Sequence, residues 1–141
     1  MILYHASDLI WASKIKGVAD GLGLACRPVR TLAMLDARLG DSPVRALIVD
    51  LAAADVAIEL VQHVRARQHS NDATSAATTG GSGGMAVGGS EGRIRVLAFG
   101  PHVATADFQR ARDAGADEVL SRGAFDHAME DVLMKLSVGA R

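Results

Sequence analysis

The chain has 141 residues, 49% of them hydrophobic and 22% charged, which suits one globular domain with a real core and gives no reason to expect two. A formal net charge of −1 supplies no field for gathering nucleic acid or an anionic membrane surface. The single cysteine, Cys26, excludes an internal disulfide; no run approaches the ~20 apolar residues that span a bilayer, and residues 1–10 lack the basic flank of a signal peptide, so a cytoplasmic location is expected.

Strand and helix patterns alternate along the chain. The first strand is 2–5 (ILYH), and a helix follows over 8–21, with Trp11, Ile15, Val18 and Leu22 at helical spacing and Gly23 placed to end it. A weaker strand, 24–29, holds Cys26, where a small inert thiol is the expectation. Thr31 is positioned to cap a short helix with Leu32, Leu35 and Leu39 on one face and Gly40 as its stop. The run ending ALIVD, 45–50, is a continuous apolar strand, as the middle of a sheet covered on both faces requires. Asp55 is set to cap the third helix, with Ile58, Val61 and Val64 inward. Strand four is 94–99, Thr105 caps the next helix, Asp107 complements its dipole, and Gly115 closes it. Strand five is 118–120, and Asp126 caps a last helix that turns Met129, Val132, Leu133 and Leu136 inward. Five strands and five helices in strict alternation predict a flavodoxin-like (βα)5 fold: a doubly wound, parallel, five-stranded sheet of order 2-1-3-4-5.

Residues 68–92 break this rhythm. They hold seven of the fifteen glycines, and so polar a stretch buries too little to offset its ordering entropy. A flexible insertion between helix three and strand four is expected, within a single domain spanning 1–141. It is no phosphate cradle, since no strand leads in, no helix opens out and no Gly-Lys-Ser/Thr is present.

Asp50 is the most informative residue. A carboxylate at the C-terminal tip of a buried parallel strand faces the crevice where open α/β sheets bind ligands. The ILYH strand with its helix ending GLGL, the ALIVD strand, IRVLAFGP and the passage ARDAGADEVLSRGAF together resemble the receiver domains of response regulators, CheY-like proteins of phosphorelay signal transduction in two-component systems. The resemblance covers the chain outside 68–92. It implies that Asp50 occupies the phosphoacceptor position. The paired acids of the family fall on Ala6 and Ser7, with Asp8 one place late. The hydroxyl residue after strand four becomes Gly100, the lysine after strand five becomes Arg122 and its neighbouring proline Gly123, and the aromatic switch position becomes Val119.

These departures have chemical consequences. Magnesium wants a near-octahedral set of oxygens and sheds water reluctantly. Ala6 offers no ligand and Ser7 only a neutral hydroxyl, so no cofactor and no metal site are expected. Without the ion, charge on a phosphoryl group in transit lacks its main stabiliser. Arg122 can instead pair bidentately with Asp50 and fill the emptied pocket, the alternative being a surface charge that points to solvent. The expected function is a stand-alone pseudo-receiver, a protein interaction module with no enzymatic activity and no magnesium-dependent phosphorylation. The resemblance implies a histidine kinase or an output protein as partner, and contact through the helix 4–strand 5–helix 5 face around Arg110, Arg112, Glu118 and Glu130.

Two alternatives stay open. One is a conventional receiver that phosphorylates Asp50 with magnesium, Asp8 partly replacing the missing acids. The other is a small-molecule or metal-binding α/β enzyme using a crevice lined by His5, Asp50 and His102. His63, His69 and His127 are expected in solvent.

Overall fold

The structure, a computed structural model, describes residues 1–79 and 93–137. Its strands are β1 (Ile2–His5), β2 (Cys26–Pro28), β3 (Ala46–Asp50), β4 (Arg95–Gly100) and β5 (Glu118–Ser121). Its helices are α1 (Leu9–Gly21), α2 (Leu32–Asp41), α3 (Ala54–Thr79), α4 (Thr105–Ala114), α5 (Arg122–His127) and α6 (Met129–Ser137), with a 3-10 turn at Leu51–Ala53. All strand pairings are parallel and the order is β2-β1-β3-β4-β5, as the alternation of elements predicts.

Because side chains alternate across a strand, the central run of apolar residues feeds two cores. Leu3, Leu47, Val49, Val96 and Ala98 pack on one face with Leu35, Leu60, Val61 and Ala111, which belong to α2, α3 and α4. Ile2, Tyr4, Ile48, Leu97 and Phe99 pack on the other with Ile15, Phe125 and Leu133, from α1, α5 and α6. Cys26 lies in the second core, and burial pushes its thiol up to about 11, so the expected inert cysteine is what the fold provides. No helix of the described residues is long and apolar enough to cross a membrane.

Helix boundaries correct several sequence expectations. The insertion expected from residue 68 does not begin there, because α3 continues to Thr79. Residues 68–79 contain neither glycine nor proline and include three alanines. Extending an existing helix costs far less than nucleating one, so low hydrophobicity alone does not stop it. The glycines start at position 80, and the rest of the expected insertion, 80–92, lies outside the described residues.

Other caps also move. Thr105 is the first residue of α4, and Ala104 takes the cap position with no side-chain hydrogen bond. Asp55 sits in the first turn of α3 and pairs with Arg110 at 3.2 Å. Asp126 lies inside α5 and pairs with Lys14 of α1 at 2.9 Å. Ser121 is the residue that caps α5, its Oγ accepting from Ala124 N at 3.2 Å, so the expected last helix is two helices with a break at Ala128. Leu32 turns outward, and Met34 joins Leu35 and Leu39 against the core instead. The Thr31 cap forms as expected, and Asp8, expected inside the first helix, caps it instead; each accepts a backbone N–H three residues on.

The turn after α4 is held by a guanidinium. Arg65 of α3 donates from Nε to Gly115 O at 2.9 Å, from Nη1 to Ile94 O at 2.7 Å and from Nη2 to Asp117 at 2.8 Å. Asp117 also accepts Val96 N–H at 2.8 Å and pairs with Arg93. Gly115 has φ +120°, and a Cβ there would stand 2.7 Å from Arg65 Cγ. Gly115→Ala is therefore expected to cost about 2 kcal/mol or more, through backbone strain and displacement of Arg65. Urea unfolding of the two proteins measures it, and equal midpoints would show that the turn is not held in this way.

Candidate functional site

Asp50 ends β3 with a side chain that is 0% exposed, and its two oxygens are both engaged. Oδ2 accepts Ser7 N–H at 2.9 Å and Ser7 Oγ–H at 2.6 Å. Oδ1 accepts Ala52 N–H at 2.9 Å, so the carboxylate caps the 3-10 turn that follows its own strand. A carboxylate buried this deeply is tolerable only with such partners, because leaving an ionised group without them costs several kcal/mol. The β1–α1 loop, carrying Ser7, thus closes over the acid from the neighbouring strand.

Arg122 supplies the counter-charge. Its Nη2 lies 3.7 Å from Asp50 Oδ1, and its guanidinium sits 5.8 Å from the centroid of the Trp11 ring. The contact is an ion pair rather than the bidentate fork expected from the sequence, and Arg122 Nε is buried without a hydrogen-bond partner. Half-occupied geometry follows from position: Arg122 is the first residue of α5, and its side chain, 33% exposed, approaches the acid from the rim.

The remaining predicted positions separate into those that meet at this pocket and those that do not. Ala6 is half-buried and offers only a methyl group. Asp8 is exposed, and its carboxylate caps α1 by accepting Trp11 N–H at 2.9 Å, so it is not turned into the missing acid position. Gly100 lies at the end of β4, where a Cβ would stand 2.8 Å from Leu51 Cβ. The space a hydroxyl residue would need is filled by the residue after Asp50. Val119 is half-buried and packs against the core containing Leu3.

The donor set does not fit magnesium. Asp50 spends its oxygens on two backbone amides, a hydroxyl and a guanidinium, and no second acid among the described residues joins it in a metal-holding group. Among the described residues no group of three or more His, Cys, Asp or Glu is arranged to hold a metal ion.

The histidines do not converge either. His5 is buried, 8% exposed, with Nδ1 lacking a partner, whereas His102 is exposed on the loop after β4. Burial lowers the His5 pKa from its ordinary value, and the nearby Asp50 charge opposes that shift only in part. His63 accepts a role outside the site, 2.7 Å from Asp36. Sequence reasoning missed Trp11 as the surface under Arg122, Ser7 as the principal hydrogen-bond donor to Asp50, and Leu51 as the occupant of the hydroxyl's place. Ser7 had a legible signal, being a hydroxyl directly beyond a strand tip adjacent to that of Asp50. The other two depend on helix orientation and backbone separation, which no spacing encodes.

Two consequences are measurable. Gly100→Ser forces Leu51 to move within a packed core and is expected to lower stability by about 1–3 kcal/mol in urea unfolding; unchanged stability would mean the space exists. His5 titrates lower in the folded chain than unfolded, so the unfolded state binds more protons below its ordinary pKa of 6.5. Its contribution is complete above pH 6.5 and is lost as pH falls through the folded value. The wild-type urea midpoint should then drop more steeply from pH 6.5 downward than that of His5→Asn, and parallel profiles would contradict the assignment.

No protein-family model matches the sequence, and no curated protein matches it. Solved structures do. The crystal structure of the receiver domain of NtrX from Brucella abortus covers 99% of this chain and 100% of its own, with 12% identity and a TM-score of 0.69. A response regulator from Thermotoga maritima matches 98% of this chain and 97% of its own at 12% identity, TM-score 0.65. The Saccharomyces cerevisiae co-crystal of the histidine phosphotransfer signaling protein Ypd1 with the receiver domain of its downstream response regulator Ssk1 matches 97% of this chain and 88% of that chain at 11% identity, TM-score 0.70. With its five parallel strands in the order β2-β1-β3-β4-β5, helices on both faces and these matches, the chain has the CheY-like receiver fold of response regulators.

Proposed function

We propose that this chain is a pseudo-receiver, a signalling module that works by binding another protein rather than by magnesium-dependent phosphorylation. The observation that carries the reading is the Asp50 carboxylate, fully buried and saturated by Ser7, Ala52 and Arg122. A nucleophilic oxygen must reach the phosphorus in line, and charge on the moving group needs a cation with open coordination sites. Here the oxygens face amides and a hydroxyl, and the cation beside them is a guanidinium already paired with the acid.

The same arrangement stabilises one conformation without a ligand. Gly100 cannot follow a phosphate with a hydroxyl, and Val119 has no phenol to swing. Loss of these parts with retention of the fold favours a surface that is recognised as it stands. The face formed by α4, β5 and α6, around Arg110, Arg112, Glu118 and Glu130, is exposed and rich in charge, which suits a polar protein partner. Action in the cytoplasm, with a histidine kinase or an output protein as partner, accords with this reading. An enzyme built on His5, Asp50 and His102 is disfavoured because the exposed His102 and the buried His5 share no ligand geometry with Asp50.

Incubation with acetyl phosphate or phosphoramidate and magnesium, followed by intact-mass analysis, tests the proposal. The expected outcome is no adduct of phosphate mass on Asp50 and no magnesium-dependent change in melting temperature. A stable adduct that disappears in Asp50→Asn would establish the conventional receiver instead.

A further inference from the structure

Asp50 belongs to β3, yet its contacts lead to α1 by two routes. Through Oδ2 it holds both the N–H and the hydroxyl of Ser7, the residue just before the α1 cap. That cap, Asp8, in turn holds Trp11 N–H at 2.9 Å. Through Oδ1 it faces Arg122, whose guanidinium lies 5.8 Å from the Trp11 ring centroid. The Trp11 ring leans on Phe99 at 5.1 Å and stacks against Phe125 at 6.0 Å, and those two rings stack at 4.6 Å. One buried charge therefore grips the first turn of α1 at its approach and, through a cation on an aromatic face, at its third residue.

Among the described residues, no hydrogen bond or ion pair joins Asp50 to α4 or to the body of β5. Gly100 has no side chain to carry a hydrogen bond from the pocket, and Val119 is an aliphatic residue in the core. We propose that α1 is the output element of this pocket: the charge on Asp50 sets the pose of the first turn of α1, and with it Leu9 and Ile10, which stand there 76% and 70% exposed. The inference rests on these contacts alone and holds whether or not Asp50 ever accepts a phosphoryl group.

Asn at position 50 keeps the shape of the side chain but has one acceptor oxygen, which cannot serve both Ser7 and Ala52. It also removes the ion pair, and Arg122, already at the rim with an unpartnered Nε, loses its reason to stay over Trp11. The chain has a single tryptophan, so its emission reports on this position alone.

The test combines that emission with amide hydrogen exchange on the full chain, in Asp50→Asn and in Arg122→Gln. The latter changes a partly exposed residue, so a folded protein is available even if the former is badly destabilised. In Asp50→Asn, exchange at Trp11 and Ala12 should quicken about tenfold or more, while amides of β5 and α4 keep their wild-type rates. In both variants Trp11 emission should move to longer wavelength as the guanidinium leaves the ring. Unchanged emission in both variants, or acceleration that is equal in α1, β5 and α4, would overturn the assignment of α1 as the output.

Discussion

A single buried carboxylate organises the carboxyl edge of this sheet. Asp50 has no access to water, so every lone pair it exposes must be met inside the protein. Ser7 meets one oxygen twice, Ala52 meets the other, and Arg122 balances the charge at 3.7 Å. These four residues come from the ends of β1 and β3 and the start of α5, which the strand order brings to one edge. Losing the Ser7 and Ala52 hydrogen bonds would leave that buried charge uncompensated, a far larger cost than the bonds themselves contribute.

The pocket is filled by protein groups. Ser7 gives Asp50 two hydrogen bonds, and Leu51 takes the room beside Gly100, where a Cβ would stand 2.8 Å from Leu51 Cβ. Arg122 brings a permanent charge on a planar group, and that plane finds Trp11. The contacts support one another, each group holding its neighbour in place.

The fold was legible because its signals are periodic and long. The ALIVD strand, the stripes of α1 and α6, and Gly23 and Gly115 in the left-handed region follow from side-chain chemistry and spacing alone. Boundaries were less legible where neighbours compete. Ser121 and Asp126 are both acceptable caps, and the earlier one wins because β5 ends at it. Low hydrophobicity after residue 67 reads as a linker, yet a helix already formed over fourteen residues, 54–67, continues through this stretch free of glycine and proline. At the site, the absence of acids and the presence of Asp50 and Arg122 could be read from order along the chain. The monodentate pairing, the Trp11 platform and the Leu51 contact could not, since they depend on backbone distances of a few tenths of an ångström.

The Asp50 carboxylate is satisfied by protein groups, which on the proposed reading leaves it no affinity to spare for a divalent cation. Titrating magnesium chloride while following the amide resonances of Ser7 and Ala52, the two N–H groups bound to that carboxylate, tests it most directly. Both signals should stay in place through millimolar magnesium, moving no more than in matched sodium chloride. Saturable shifts of both signals, abolished by Asp50→Asn, would contradict it.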